Sequence, residues 1–406
     1  MSKLKVAMIG WEFPPLKVGG LAVHCYNLAY ELASNGVEVD FYMPKTHLNI
    51  LSPHKNIRII PVTDSKLEVY LGRPLVKEGK VVFSNLYVGN INNVIDHYAK
   101  LCSHLLSFFH SIENYSLIHG HDWITVLACQ KSKEKTGIPW VHSFHSTEYD
   151  RNAFPWDYIL KIEQQGITNA DILITVSNRM KNLLIDKYAA DPSKIKVIYN
   201  GINPREFTKS TIIENKEKSD VAKHLKGKKI VLFLGRLTQQ KGPEFFLHVA
   251  KKVLSYRKDV MFVLCGKGEL LPSLINMAIS MNIIDNVMFL GYVPDDLQPK
   301  IYSMADVFVM PSTSEPFGIA ALEAMAAGVP VIVSKTSGVS EIVRTAFKID
   351  FWDVDRMADT ILGLIRYPII RKILAHMELD EVKKFSWKKV ADETMLVYSE
   401  ALEKTK

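Results

Sequence analysis

Cysteine is scarce in this chain and lacks any metal-binding spacing. The sequence has 406 residues and 4 cysteines, at positions 25, 102, 129 and 265, with no C-x-x-C pair among them. This spacing excludes a disulfide framework and a zinc ribbon, and it favours a reducing compartment in which the thiols stay free and buried. We therefore expect a protein of the cytoplasm.

Long hydrophobic runs and blocks of one charge are also missing. Glu12 and Lys17 interrupt the first apolar stretch, so neither a signal peptide nor a membrane-spanning segment is predicted. The formal net charge of +7 is spread along the chain, which argues against a nucleic-acid-binding surface. The small positive excess suits an anionic small-molecule substrate.

Short apolar strands alternate with longer helical segments through most of the sequence. The alternation runs from Val6 to Tyr199 and resumes at Lys229, which predicts an α/β protein with two doubly wound parallel sheets. Between them lies a stretch rich in Lys, Glu and Ser that is typical of a linker. The predicted divisions are a first domain at 1–202, a linker at 203–228 and a second domain at 229–385.

Two further features of the architecture are expected. Open α/β sheets bind ligands at the carboxyl ends of their strands, so we expect the ligand in a cleft between the two domains. A terminal helix at 386–406 begins at a Ser cap and has helical apolar spacing. We expect this helix to pack back on the first domain, with Trp387 and Val390 in the contact.

Two glutamates separated by seven residues, Glu315 and Glu323, flank a Pro-Phe-Gly turn and an Ala-rich helical segment. Over eight residues a helix rises about 12 Å, so the two carboxylates can reach opposite ends of one elongated ligand. One carboxylate can accept hydrogen bonds from hexose hydroxyls and the other from a ribose, while amides at Phe317 and Gly318 can meet a diphosphate. The alternative is a helix with an acidic start and a solvated Glu.

A loop with two cations follows the first strand of the second domain. Gly235 and Arg236 end the strand, and Lys241 precedes a helix that begins near Pro243. Arg offers a planar fork and Lys a compact charge, so the two can neutralise a departing diphosphate without a metal. The alternative is that one or both cations are simply solvated.

The first strand of the chain leads into a loop with Lys17, Gly19 and Gly20, directly before an amphipathic helix. The glycines allow a substrate oxygen to approach the helix amides, and Lys17 can reach an anion there. This loop is not G-x-G-x-x-G, so NAD binding is disfavoured. The alternative is that the glycines only relieve backbone strain.

Two pairs of histidines, at 119 and 121 and at 142 and 145, follow predicted strands. No cysteine lies beside either pair, so a metal site is not expected. We expect His145 and Asp122 to project toward a sugar and His119 and His142 to face the sheet. The D-x-D sequence at 353–355 precedes a predicted helix, so helix capping is expected there.

Taken in order, these motifs resemble the retaining GT-B glycosyltransferases of family 4 and the neighbouring glycogen and starch synthase family 5. The resemblance covers essentially the whole chain. Its anchors are KVGG at 17–20, HGHDW at 119–123, SFH at 143–145, YNGI at 199–202, GRLTQQKG at 235–242, CGKGE at 265–269 and the glutamate pair at 315 and 323.

The resemblance implies a role for each matched residue of the second domain. Arg236 and Lys241 match the pair that binds the donor diphosphate and stabilises the leaving group. Glu315 matches the carboxylate that holds the donor sugar, and Glu323 matches the carboxylate at the ribose. Further donor contacts are implied at Gly235, Gly266, Phe317 and Gly318.

The resemblance also assigns residues of the first domain. His145 matches a histidine near the reacting sugar, and Asp122 matches an acidic residue on the acceptor side. Lys17, Gly19 and Gly20 match the glycine-rich donor loop.

The implied reaction moves a hexose from ADP-glucose or UDP-glucose with retention at the anomeric carbon and with no metal or other cofactor. KVGG and HDW lean toward glycogen synthases, and the compact chain is similar to archaeal proteins of that kind, so an α-glucan acceptor ranks first. Transfer to a small sugar or a lipid, of the trehalose or glycolipid type, is the alternative, because the acceptor loops around residues 45–95 contain no recognisable motif. The stretch Ser337-Gly-Val-Ser also departs from the usual family 4 pattern. A nucleotide-sugar epimerase and a silent nucleotide-sugar-binding protein are further alternatives.

Overall fold

The computed structural model describes residues 4–15, 19–46, 50–64, 75–77, 80–82, 91–152, 154–207 and 227–404. Lys17 and most of the predicted linker lie outside these ranges. The chain divides into two compact units. Unit 1 is Met1–Tyr199 with Trp387–Lys406, and unit 2 is Asn200–Ser386.

Unit 1 is built on a parallel sheet of seven strands in the order β3-β2-β1-β6-β7-β8-β9. Every residue of β6, β7 and β8 is buried, as expected of strands covered on both faces by helices. A separate antiparallel ribbon pairs β4 with β5. The strands are β1 (Lys5–Ile9), β2 (Glu38–Pro44), β3 (Ile57–Val62), β4 (Leu75–Lys77), β5 (Lys80–Val82), β6 (Leu117–His121), β7 (Trp140–Phe144), β8 (Ile172–Thr175) and β9 (Ile195–Val197).

The helices between these strands begin and end at recognisable signals. Ser177 accepts a hydrogen bond from the Met180 amide at the start of one helix, and Gly137 ends another in the left-handed conformation. Thr147 and Asp150 form a reciprocal capping box on a short helix. The helices are α1 (Gly20–Ser34), α2 (Ile91–Glu113), α3 (Val126–Thr136), α4 (Glu148–Arg151), α5 (Asp157–Asn169) and α6 (Asn178–Tyr188).

The terminal helix of the chain belongs to unit 1. It packs on α1 and on β7, and its buried face includes Trp387, Val390 and Tyr398. The Tyr398 hydroxyl is hydrogen-bonded to Nδ1 of His119 on β6 at 2.7 Å. The helix therefore contributes both apolar area and a buried polar contact to the core of unit 1.

Unit 2 repeats the same architecture with a six-stranded parallel sheet in the order β12-β11-β10-β13-β14-β15. A hydrophobic core lies between this sheet and three helices, which contribute residues such as Phe246, Leu274 and Ile361. The strands are β10 (Lys229–Leu234), β11 (Val260–Cys265), β12 (Val287–Gly291), β13 (Val307–Met310), β14 (Val331–Ser334) and β15 (Phe347–Ile349).

The helices of unit 2 and the terminal helix complete the fold. They are α7 (Pro243–Tyr256), α8 (Leu271–Ser280), α9 (Gln298–Met304), α10 (Ile319–Ala326), α11 (Val354–Arg366), α12 (Pro368–Val382) and, in unit 1, α13 (Trp387–Glu403). Asp353 caps α11 by accepting a hydrogen bond from the Arg356 amide, so the capping prediction for the D-x-D sequence is confirmed. Among the described helices, none has the length and apolar character needed to cross a membrane.

Both sheets confirm the predicted α/β class and share one topological property. In each sheet the chain starts in a central strand, builds outward on one side and then returns to build on the other. The reversal falls between β1 and β6 in unit 1 and between β10 and β13 in unit 2. Crevices at the carboxyl ends of such strand pairs are the usual ligand sites of open α/β sheets.

Candidate functional site

In unit 2, the two loops at this reversal carry the predicted donor-binding residues. Residues 235–242 follow β10, and residues 311–318 follow β13. The amide of Thr313 donates a hydrogen bond to the carbonyl of Gln240 at 2.9 Å, which joins the loops. The fold therefore brings together residues more than 70 positions apart in the sequence, because Lys241 and Glu315 are 74 residues apart.

Lys241 and Glu315 form the central contact between these two loops of unit 2. The Lys241 ammonium donates a hydrogen bond to Oε2 of Glu315 at 2.5 Å, and the Ser312 hydroxyl donates to the same oxygen at 3.2 Å. Glu315 is buried, with 5% of its surface exposed, whereas the Lys241 side chain is partly exposed. The paired cation offsets the cost of burying the carboxylate, so both charged groups are held at the carboxyl end of the sheet.

Arg236 lies beside this pair in the chain but makes no comparable contact. Its side chain is exposed, and no acceptor among the described residues binds its guanidinium. The backbone around it is fixed, because the Gly235 amide donates to the Cys265 carbonyl and the Thr238 amide donates to the Arg236 carbonyl. The loop thus presents a guanidinium, with five N–H donors, that is available to an anion.

The loop after β11 passes very close to the Arg236 loop. Gly266 has a φ of +141°, a region that side chains rarely adopt, and a Cβ there would lie 1.8 Å from the Gly235 carbonyl oxygen. Only glycine fits this crossing without moving the neighbouring backbone. Gly266 therefore sets the position of Gly235 and Arg236.

The segment from Glu315 to Glu323 forms the predicted turn and helix. Gly318, with a φ of +106°, directly precedes α10, and Phe317 is buried. The main chain on either side is anchored, because the Gly338 amide donates to the Glu315 carbonyl and the Val339 amide donates to the Phe317 carbonyl.

Glu323 lies on α10 and accepts a hydrogen bond from the Tyr302 hydroxyl at 2.8 Å. Tyr302 is completely buried on α9 and holds this carboxylate in place. Sequence reasoning missed Tyr302 and Ser312, because a single Tyr in a helical segment and a single Ser in a loop match no motif.

In unit 1, Asp122 stands at the reversal point of the sheet, directly after β6. It has a φ of 59°, and its Oδ1 accepts hydrogen bonds from the amides of His145 and Ser146 at 2.7 and 3.2 Å. Burial raises the pKa of Asp122 to about 6, and nearby Arg151 opposes that rise. The carboxylate holds the loop after β7, and a sugar contact from Asp122 stays a prediction.

His119 and His142 lie in the core, as predicted. His119 is buried and makes hydrogen bonds with Tyr398 and with the Ser143 hydroxyl at 2.7 and 2.8 Å. His142 is buried and accepts from the Trp140 indole at 3.2 Å. Burial lowers the pKa of both imidazoles, so these histidines are neutral core residues.

His145 belongs to a group of rings that the sequence pattern did not reveal. It is half-buried, with its Nε2 3.1 Å from Nδ1 of His121 and its ring centroid 4.3 Å from that of His24 on α1. Burial lowers the pKa of His145 to about 3 and lowers that of His121 well below its usual value. His24 was missed because it lies inside a helix pattern, far in sequence from the histidines after β6 and β7.

The predicted glycine loop of unit 1 is described only in part. Gly19 and Gly20 are exposed, and Gly19 directly precedes α1. A Cβ at Gly19 would meet no atom of the described residues within 4 Å. Lys17 lies outside the described residues.

Comparison with known proteins identifies the family. The family described as "Glycosyltransferase Family 4" matches residues 18–206, and "Glycosyl transferases group 1" matches residues 214–376. An uncharacterized glycosyltransferase of Methanocaldococcus jannaschii is 33% identical, with 98% of this chain and 99% of that protein covered. This chain is a glycosyltransferase. It is a transferase that depends on a nucleotide sugar.

A second group of relatives carries a more specific name. The D-inositol 3-phosphate glycosyltransferase of Corynebacterium diphtheriae is 28% identical to this glycosyltransferase, over 99% of the chain and 96% of the relative.

Solved structures show the fold of the enzyme to be GT-B. The sucrose-phosphate synthase of Thermosynechococcus elongatus matches with a TM-score of 0.77 and 20% identity, over 98% of this chain and 99% of that one. The catalytic domain of starch synthase IV from Arabidopsis thaliana, bound to ADP and acarbose, matches with a TM-score of 0.74 and 17% identity. That match covers 99% of this chain and all of the other.

Proposed function

We propose that this glycosyltransferase moves a hexose from ADP-glucose or UDP-glucose to a hydroxyl acceptor with retention of configuration and without a metal in the transfer step. The observation that carries the proposal is the contact of Lys241 with buried Glu315 beside the exposed Arg236. A nucleotide sugar has a doubly charged diphosphate next to a polyhydroxylated ring. The two cations and the carboxylate supply complementary partners for both parts.

Donor binding redistributes the hydrogen bonds of this group. Arg236 and Lys241 bind the diphosphate oxygens, and Glu315 accepts hydrogen bonds from the hexose hydroxyls. Since the Lys241 ammonium has three N–H donors, it can keep its bond to Glu315 while it binds phosphate. Glu323, oriented by Tyr302, is assigned to the ribose hydroxyls. Gly235, Gly266, Phe317 and Gly318 are assigned to the backbone contacts of the donor.

The transfer step then needs no protein nucleophile. The bond between the anomeric carbon and the phosphate oxygen breaks, and its electron pair stays on the phosphate. The acceptor oxygen bonds to the anomeric carbon on the same face, and its proton passes to that phosphate oxygen. Arg236 and Lys241 stabilise the charge that grows on the leaving group, which is where fixed cations accelerate a reaction most.

In unit 1, His145 is assigned to the transferred hexose, and Asp122 fixes the loop that carries it. The lowered pKa keeps the His145 imidazole neutral at physiological pH. A neutral imidazole can donate or accept one hydrogen bond at a sugar hydroxyl without adding a charge. Lys17, Gly19 and Gly20 are assigned to the donor loop.

Two acceptors are candidates, each with its own support. An α-glucan is favoured by the KVGG and HGHDW motifs. A small phosphorylated polyol is favoured by the D-inositol 3-phosphate glycosyltransferase relatives, which share 28% identity over 99% of the chain in one case.

An acceptor panel tests the proposal and separates the candidates. Wild type is incubated with UDP-glucose or ADP-glucose and with maltooligosaccharide, glycogen, D-inositol 3-phosphate or no acceptor, and products are identified by mass and by the anomeric NMR coupling. An α-linked product with one acceptor supports retaining transfer and names the acceptor class. A β-linked product contradicts retention, and epimerised donor without any transfer product contradicts the transferase function.

A further inference from the structure

Three histidines of unit 1 come together without a hydrogen-bonding arrangement that satisfies them all. His24 lies on α1, His121 ends β6, and His145 follows β7. One nitrogen from each ring can be chosen so that the three atoms lie within 4.8 Å of one another. Nε2 of His121 is buried and has no hydrogen-bond partner among the described residues. A buried polar atom without a partner is uncommon, so the described residues leave the His121 ring incompletely satisfied.

The spacing of two of these nitrogens matches that of ligands on one metal ion. Nδ1 of His121 and Nε2 of His145 are 3.1 Å apart. Two nitrogens bound at about 2.0–2.1 Å to a tetrahedral ion are roughly 3.4 Å apart. One hydrogen bond now joins the two rings, so one of the facing nitrogens already carries a lone pair. A cation in place of the hydrogen would bind both nitrogens once the donor ring carries its proton on its other nitrogen.

We propose that His24, His121 and His145 form a binding site for a divalent transition-metal cation of the zinc type. Imidazole nitrogens select zinc, cobalt, nickel and copper over magnesium, which requires oxygen ligands. Three protein ligands leave a fourth position of a tetrahedral ion open to water or to a substrate oxygen. His145 is half-buried, so the site has a side open to the exterior of unit 1.

The surroundings can accommodate the added charge. Asp122 directly follows His121 and is buried at the same place. The Asp122 carboxylate accepts hydrogen bonds from the amides of His145 and Ser146, so it lies close to the cluster. Negative groups of this kind offset the charge of a bound dication and orient its ligands.

A cation bound at this site would reversibly inhibit glycosyl transfer. Under the proposed function His145 contacts the transferred hexose, and a metal on its imidazole would remove that contact. The inhibition rests on the proposed function, whereas the binding does not.

The binding is therefore measured first, on the untagged full-length chain without any nucleotide sugar. Zn²⁺ is titrated calorimetrically, and Co²⁺ is titrated with its visible d–d absorption as the readout. The expected result is one Zn²⁺ per chain, no comparable binding of Mg²⁺, and the intense absorption of four-coordinate Co²⁺. A Co²⁺ spectrum equal to that of the aqueous ion would overturn the proposal without reference to any variant.

Variants then place the ion. We expect His24→Asn and His121→Asn each to weaken Zn²⁺ binding at least about tenfold, the smallest loss seen when even the outer shell of a metal site is disturbed. His376→Asn, on the exposed surface of α12, is the matched control and should bind as wild type does. Unchanged binding in His24→Asn, or an equal loss in the control, would show that Zn²⁺ binds elsewhere.

Discussion

Lys241 and Glu315 show how a single ion pair prepares a site for an anionic ligand. Burying a carboxylate alone is costly, and the cation that offsets this cost also has donors left for phosphate. The Lys241 Nζ lies 2.5 Å from Oε2 of Glu315, and the Ser312 hydroxyl donates a second hydrogen bond to the same oxygen. The charges are thus already oriented before the donor arrives, and less reorganisation is needed during transfer.

Removal of the cation should affect catalysis far more than a surface charge does. For Lys241→Ala we expect the turnover number to fall about 100- to 1,000-fold, because a group that stabilises the leaving charge is lost. Lys252→Ala is the control, since Lys252 also pairs with a carboxylate, Asp355 at 3.0 Å, but on the exposed surface. Acceptor-dependent nucleotide release measures both. Equal turnover in the two variants would contradict the role of Lys241.

Some single residues of the site were predictable from sequence and others were not. Arg236, Lys241 and the two glutamates stand in motifs whose spacing suits a nucleotide sugar, and the fold brings Lys241 to Glu315. Tyr302 and His24 were not predictable, because their partners come from distant parts of the chain. A side chain whose role depends on a long-range contact leaves no periodic signal in its own segment.

At the scale of the elements, the loop after β11 depends on Gly266, where its main chain passes close to the Gly235 carbonyl. We expect Gly266→Ala to cost about 1–3 kcal/mol through backbone strain alone, and to weaken donor binding because the Gly235 carbonyl must move. Gly363→Ala is the matched control, since Gly363 lies in α11 and a Cβ there meets no atom within 4 Å. The unfolding free energy of this control should increase by up to about 1 kcal/mol, because alanine favours the helix more than glycine does.

Denaturant unfolding and donor titration measure the two glycine variants together. A Gly266→Ala protein with wild-type stability and wild-type donor affinity would show that the close approach of Gly266 to Gly235 does not constrain the loop.

Helix α12 ties the sheet of unit 2 to its outer layer through a buried acid. Glu378 is completely buried, and its Oε1 accepts a hydrogen bond from the Val331 amide at 3.2 Å. Burial raises the pKa of Glu378 from 4.5 to about 8, and Glu381 adds to the rise. The pKa of Glu378 is higher in the folded protein than in the unfolded chain, so the protonated carboxyl favours the folded state. This contribution to the unfolding free energy is complete below pH 4.5 and is lost as the pH rises to about 8.

Replacement of this acid should therefore change how stability depends on pH. We expect Glu378→Gln to flatten the fall in unfolding free energy between about pH 5 and pH 8, since the amide has no proton to lose. Glu403→Gln, at an exposed end of α13, is the control and should follow wild type. Urea unfolding across this pH range checks both, and parallel curves for wild type and Glu378→Gln would refute the shifted titration.

The sequence predicted elements better where their pattern was strong. Strands such as β10 and β11 are continuous apolar runs, which is the pattern that the strand–helix alternation predicts from Lys229 onward. The sequence pattern does not predict β3, because Arg58 and Pro61 interrupt the apolar run Ile57–Val62. Pairing with β2 makes this segment a strand. Short edge strands depend on a neighbour, so their own residues are a weak guide.

At the scale of the whole molecule, the last helix of the chain completes the first unit. Tyr398→Phe should cost about 1–3 kcal/mol, because it leaves Nδ1 of buried His119 without its partner. Leu396→Ala, on the exposed side of the same helix, should change stability by no more than about 0.5 kcal/mol. Thermal unfolding measures both, and an equal effect of the two substitutions would contradict the contact.

If the proposed donor site is correct, the enzyme as a whole needs buried Glu315 for transfer. The decisive measurement is nucleotide release from UDP-glucose and ADP-glucose by wild type and by Glu315→Gln, each with and without the preferred acceptor. We predict that release by wild type requires the acceptor, and that it falls on the order of 100-fold or more in Glu315→Gln, which keeps the shape of the side chain but loses its charge. Equal acceptor-dependent release by the two proteins would contradict the proposed site.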